Sequence, residues 1–139
     1  MIIRSDLSHL DEITAIENAV FPNPWTKAQL RHDILTKLET ENFVYIQNES
    51  VIGYIFGWVI KDEYHLNNIA VHEDFRCKQV ASSLINHVIA LLIDKNVQII
   101  FLEVNIGNTV AQKCYESLGF EKNGQRKNYY VSGEDAFLY

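Results

Sequence analysis

Cysteine, proline and basic charge are all scarce in this chain, and each scarcity closes off a class of protein. Cys77 and Cys114 are the only cysteines among 139 residues. They form neither a CxxC pair nor a Cys/His ligand spacing, which argues against a structural zinc site. Two isolated thiols suit a reduced, cytoplasmic compartment. Two prolines and six glycines are too few for a collagen-like or low-complexity disordered chain. No apolar run approaches the ~20 residues of a membrane-spanning helix. The opening Met1-Ile2-Ile3-Arg4-Ser5-Asp6 lacks the basic and apolar regions of a signal peptide, so none is expected. Twelve Lys and Arg stand against eighteen Asp and Glu, a net charge of −6. Nucleic-acid backbones and anionic membranes both require a basic surface, so neither is an expected partner; a neutral or basic one fits better. The five histidines are scattered. His65 and His72 are an odd number of residues apart and would face opposite sides of one regular strand, so no metal site is expected.

What is present is an ordinary globular composition, 47% hydrophobic and 22% charged, with enough chain for one core. Residues 1–139 read as a single domain without repeats or linkers. Met1 to Arg4 reads as a short strand. Ser8 with Asp11 predicts a capping box opening a helix whose stripe is Leu10, Ile13, Ile16 or Glu17, and Val20. Phe21-Pro22-Asn23-Pro24-Trp25 ends it, since proline cannot continue a helix. Thr26 with Gln29 predicts a second capping box, before a helix with Leu30, Ile34 and Leu38 on one face. Asn42–Gln47, Val51–Ile60 and Tyr64–Val71 read as strands, and the short turns between them predict an antiparallel meander. Val80, Ala81, Leu84, Ile85, Val88, Ile89 and Leu92 mark an apolar helix, with Asn96 as its C-cap. Val97–Val104 is almost unbroken in its apolar character, the sign of one strand buried on both faces. Asn108 caps a helix striped with Ala111, Cys114, Tyr115 and Leu118, which Gly119 ends. Phe120–Lys122 and Glu134–Tyr139 are expected closing strands. The order β-α-α-β-β-β-α-β-α-β-β predicts an α/β protein of the α+β kind, a mixed sheet flanked by helices.

One stretch, Asn67 to Ala81, runs from a strand through a tight turn into a helix. Such a helix start offers unpaired N–H groups and a positive dipole end, which suit a phosphate. Many α/β proteins contain such a unit, so by itself it says little. Glu103, near the end of an apolar run, is either a carboxylate reaching solvent or a general base. Tyr115 lies on an apolar stripe, where core packing alone would place it. Its phenol, with a pKa near ~10, also stays protonated and can serve as a general acid.

Arg76-Cys77-Lys78-Gln79-Val80-Ala81 resembles the acyl-CoA loop of the GNAT superfamily, written Gln/Arg-x-x-Gly-x-Gly/Ala. Arg76 and Ala81 match; Gln79 stands where the pattern has glycine. The resemblance extends over nearly the whole chain through Phe101-Leu102-Glu103-Val104, Asn108, Ala111 and Tyr115-Glu116-Ser117-Leu118-Gly119-Phe120. Phe21-Pro22-Asn23-Pro24-Trp25, Arg126-Lys127-Asn128-Tyr129-Tyr130 and Gly133-Glu134-Asp135-Ala136 look more specifically like the ribosomal-protein-alanine N-acetyltransferase group. That resemblance implies the GNAT acyl-CoA N-acyltransferase fold and acetyl-CoA as co-substrate. It implies direct transfer to the N-terminal amine of a ribosomal protein, through a tetrahedral intermediate and no acyl-enzyme, with Glu103 as base and Tyr115 as acid. The donor would lie where the third β-run and Val97–Val104 splay apart. Ile69, Ala70 and Val71 would meet its pantetheine arm, Arg76, Cys77, Lys78, Gln79, Val80, Ala81 and Ser82 its pyrophosphate, and Asn108 would add a contact. Phe21 and Trp25 would form one wall of the acceptor slot, Tyr129 and Tyr130 the other. Gln79, free to hold an ordinary helical φ, would weaken donor binding or shift the loop slightly without abolishing function. Two alternatives stay open: an acceptor that is a small-molecule amine or a lysine, and a non-catalytic acyl-CoA-binding module.

Overall fold

Turn chemistry and strand alternation account for most of the architecture in the computed structural model, which describes residues 1–36, 40–76, 79–105, 108–122, 124–126 and 136–138. The first half contains β1 (Ile2–Arg4), α1 (Leu10–Val20), α2 (Lys27–Leu35), β2 (Phe43–Gln47), β3 (Ser50–Ile60) and β4 (Glu63–Val71). The second half contains α3 (Val80–Asp94), β5 (Ile99–Phe101), β6 (Glu103–Asn105), α4 (Thr109–Ser117), β7 (Gly124–Arg126) and β8 (Ala136–Leu138). Strands β1 to β5 form one sheet in that order, antiparallel except for the β4–β5 pair, which is parallel. The second sheet has the antiparallel order β6-β8-β7.

The expected capping box at Thr26 is present: its Oγ1 accepts from the Gln29 N–H at 3.1 Å, and the Gln29 Oε1 accepts from the Thr26 N–H at 2.7 Å. The first box is displaced. Asp6, not Ser8, caps a short 3-10 turn ahead of α1, with His9 Nδ1 accepting from the Asp6 N–H at 3.0 Å. Asp6 reaches the free donors two residues earlier, so the turn starts before the apolar stripe does. The C-cap of α3 is Lys95, with Asn96 one place later in the left-handed conformation at φ 60. Bonds from the Val97 N–H to the Leu92 carbonyl (3.1 Å) and from the Asn96 N–H to the Ile93 carbonyl (3.2 Å) complete a Schellman ending.

Two strand expectations are corrected. Val97–Val104 is not one strand: β5 and β6 are separate pieces in different sheets, parted at the buried Leu102. An apolar run signals burial, and here that burial comes from two sheets meeting rather than from one central strand. Phe120–Lys122 is not strand; β7 begins at Gly124. Phe120 is held by its N–H bond to the Tyr115 carbonyl at 3.0 Å, which closes α4 instead. Leu38 and most of the loop before β8 lie outside the described residues.

The first sheet is sandwiched. Leu84, Ile85, Val88 and Leu92 of α3 pack on one face, with Ile55 and Tyr64. Ile13 and Ile16 of α1 and Leu30 and Ile34 of α2 pack on the other, with Tyr54, Phe56 and Ala70. Two register shifts decide which residue faces which helix. Phe56 pairs with Asn68 but Gly57 pairs with Leu66, so Asn67 is an extra residue in β4. Because side chains alternate, this bulge moves Asn68 and Ala70 from the α3 face to the α1/α2 face. It also voids the parity argument for His65 and His72, which assumed a regular strand. The second shift, between Tyr45 and Ile46, does the same at Ile52 of β3.

Gly57 is required by a close approach. The Tyr64 side chain lies across it, and a Cβ at Gly57 would sit 2.1 Å from the phenol. Tyr64 is fully buried, and its hydroxyl donates to the Glu41 carbonyl at 3.0 Å, so it cannot step aside. Gly57→Ala is therefore expected to destabilise the fold by roughly 1–3 kcal/mol, the usual cost of overpacking. Urea unfolding should show a lower midpoint with an unchanged slope.

Candidate active site

A large cleft follows from the strand pairing. β4 pairs with β5 only at Glu63, Tyr64 and His65. Beyond that point β6 joins the other sheet, and the stretch of β4 from Leu66 to Val71 faces a cleft of about 2140 Å³. A strand edge without a neighbour presents free N–H and C=O groups. Ile69, Ala70 and Val71 line this cleft.

The start of α3 closes one end. Arg76 caps the short 3-10 turn Glu73–Phe75, and Gln79 is the N-cap of α3. Both line the cleft with Val80, Ala81 and Ser82. The Gln79 side chain makes no cap hydrogen bond, so it leaves the first-turn N–H groups available to a ligand. Gln79 itself is left-handed, at φ 63 and ψ 22. The expected ordinary helical conformation is thus wrong. The chain reverses from strand to helix through a left-handed residue, and a Cβ there costs on the order of 1–2 kcal/mol. Cys77 and Lys78 lie outside the described residues.

Glu103 and Tyr115 come from different elements and line the same cleft. Glu103 is the first residue of β6, half-buried and paired with Leu138 of β8. Tyr115 of α4 is only 6% exposed, and its ring meets Phe120 edge-on at 6.0 Å. It is therefore both a core residue and a cleft residue. Asn108 lines the cleft while capping α4, its Oδ1 accepting from the Ala111 N–H at 3.1 Å. Left-handed Gly119, φ 97, terminates α4 one turn after Tyr115.

On the opposite wall, Phe21 and Trp25 line the cleft and also pack against the α1/α2 core. Tyr129 and Tyr130 lie outside the described residues. Sequence reasoning missed what holds this wall. Glu17 of α1 is 1% exposed and lines the cleft floor. Its Oε1 accepts from the Tyr54 hydroxyl and from the Asn68 amide, and its Oε2 accepts from the Trp25 N–H at 2.9 Å. Burial, and then the neighbouring Glu17 charge, push the Tyr54 hydroxyl far above its ordinary pKa, so it remains a donor. The available signal was a carboxylate standing on the apolar spacing of α1.

The cleft is electrostatically polar. Among its described lining residues, Arg76 carries the permanent positive charge, beside the α3 N-terminus. Glu17, Asp33 and Glu103 add carboxylates to the same lining. Burial raises the Asp33 pKa, partly opposed by His32. Arg76 with the helix start thus suits an anion, and an exposed carboxylate an ammonium group.

If Gln79 stores backbone strain, glycine relieves it. Gln79→Gly should leave stability unchanged or raise it by up to ~1 kcal/mol, whereas Gln79→Val, β-branched in the same conformation, should lower it. Thermal unfolding of the two variants checks the order.

The acetyltransferase (GNAT) family matches residues 10–120. A [ribosomal protein bS18]-alanine N-acetyltransferase of Haemophilus ducreyi is 33% identical over 129 residues, 93% of this chain and 86% of that protein. The protein of the same name from Escherichia coli K12 is 37% identical over 100 residues, 70% of this chain and 68% of the other. The crystal structure of the ribosomal-protein-S18-alanine N-acetyltransferase from Escherichia coli matches with a TM-score of 0.91 at 30% identity. That match covers 99% of this chain and 90% of the other. The matched span takes in the free edge of β4, the α3 turn, Glu103 and Tyr115, and the chain belongs to the acetyltransferase (GNAT) family.

Proposed function

We propose that this chain, working as one domain in the cytoplasm, moves acetyl from acetyl-CoA to the N-terminal α-amine of a protein. The acceptor is the terminal alanine of a small-subunit ribosomal protein, as the names of the relatives suggest. The observation that carries this reading is that Glu103 and Tyr115, from β6 and α4, share one cleft with the open edge of β4 and the start of α3. The residues fit the donor: a free strand edge for an amide-bearing arm, and Arg76 with first-turn N–H groups for a diphosphate.

Acetyl-CoA supplies a thioester whose carbonyl carbon an amine can attack. Backbone groups of Ile69 and Val71 pair with its arm, and Ala70 lies between them. Arg76, Gln79, Val80, Ala81 and Ser82 meet its pyrophosphate, and Asn108 adds a contact. Glu103 takes the proton that an α-ammonium group must lose, a fitting task near pH 7 because that group titrates near ~7.8. Tyr115 gives its phenolic proton to the departing sulfur. Phe21 and Trp25 bound the acceptor on one side. The carboxylates of the cleft favour a cationic terminus and a basic protein.

An alanine-starting peptide copied from a small-subunit ribosomal protein should gain one acetyl group by mass spectrometry, at the α-amine, faster than any polyamine. Turnover of polyamines alone overturns the choice of acceptor. Glu103→Gln and Tyr115→Phe should each lower kcat by about 100-fold or more, the usual contribution of a positioned acid or base. Parent-like rates in either variant remove that residue's role. CoA binding without turnover of any amine would favour a non-catalytic acyl-CoA-binding module.

A further inference from the structure

Three rings stand in one row across the first sheet. Trp58 of β3 is paired with His65 of β4, and His65 is paired with Phe101 of β5. His65 and Phe101 stack with centroids 5.3 Å apart and planes 30° apart. The row lies on the sheet face that α1 and α2 cover farther along, because Trp58 follows Phe56 at the strand period. Trp58 is 37% exposed, and in the next row outward Ile60 and Ile99, each 45% exposed, flank Glu63. Apolar surface gathered in one open patch marks a binding surface more often than scattered single residues do. This patch is not isolated: Trp58, His65 and Phe101 all line the cleft that contains Glu103.

The spacing identifies the occupant. Phe101 precedes Glu103 by two residues, so their backbones lie at most about 7 Å apart, at ~3.3–3.6 Å per extended residue. An extended acceptor peptide has the same rise, and its residues 1 and 3 project to one side about 7 Å apart. With the α-amine at Glu103, the third side chain reaches the row of rings. We propose that Trp58, His65 and Phe101 form a subsite for a large apolar or aromatic side chain at the third position of the acceptor. This rests on the N-terminal acceptor reading above and adds the part of the sequence that is read. The rings offer flat apolar area to stack on. The Glu63 carboxylate meets the His65 Nε2 at 3.0 Å and steadies its ring.

The test uses the full chain and peptides Ala-Gly-X-Gly-Lys-Gly with X as Phe, Gly or Asp. For the parent, kcat/KM should favour Phe over Gly by about 10-fold, the scale of a small apolar pocket, and Asp should be worst. Trp58→Ala combined with His65→Ala should bring the Phe-to-Gly ratio to within about twofold, with the KM for acetyl-CoA unmoved. The Phe peptide should also change tryptophan fluorescence in the parent and lose part of that change in Trp58→Ala. Indifference to X in the parent, or a preference surviving in the double variant, overturns the subsite. If no peptide is acetylated but the Trp58-dependent fluorescence change persists, the subsite stands and the transfer reading falls. If sedimentation shows a dimer that Trp58→Ala dissociates, the row is a contact between copies and the proposal is wrong.

Discussion

The structure turns on one parting of strands. His65 and Phe101 are the last paired residues of β4 and β5. Immediately beyond them, β4 takes an extra residue at Asn67 and the chain after β5 changes sheet at Leu102. A bulge bends its strand and strengthens the local twist, so β4 turns away at the level where its neighbour leaves. A parallel pair that continued would have filled the gap with ladder hydrogen bonds. Because it does not, no described strand pairs with that edge of β4 from Leu66 to Val71, and Glu103 begins β6 across the cleft.

The same bulge builds the opposite wall. Without Asn67, alternation would turn Asn68 toward α3. With it, Asn68 faces α1 and donates to Glu17, which also takes the Tyr54 hydroxyl and the Trp25 N–H. A carboxylate this deeply buried survives only with its lone pairs occupied by donors. Those donors come from β3, β4 and the segment after α1. One side chain therefore ties the Phe21–Trp25 wall to β4, whose stretch from Leu66 to Val71 borders the cleft. A loop carrying two prolines is thereby fixed to the sheet instead of moving independently of it.

Much of this was legible in the sequence, and the exceptions have physical causes. The Thr26 box, the meander and the Asn108 cap are local, set by residues within a few positions of one another, and they appear as read. The described candidate residues line one cleft. What escaped depends on distant pairing. Val97–Val104 reads as one strand because both of its halves are apolar, and only the choice of sheet partner divides it. The bulge at Asn67 leaves no mark in composition. Glu17 stood on the apolar stripe as an anomaly, but its donors are 37 and 51 residues away. Gln79 shows the opposite failure: the substitution was plain, but the backbone kept the conformation that glycine would have taken.

That retention bears on how the turn works. If side-chain identity governed it, Gln79 would have relaxed to a right-handed φ and redirected α3. Instead Val80 remains buried against the sheet and Leu84 is fully enclosed, so α3 is held by its packing over four turns. Burial of Val80, Leu84, Ile85, Val88 and Leu92 is worth roughly 1.5–3 kcal/mol for each side chain, well above the one or two that a left-handed Gln costs. The core therefore fixes the helix start, and the helix start fixes where its free N–H groups point. The anion end of the cleft is thus set by the hydrophobic face of α3, one layer below the turn itself.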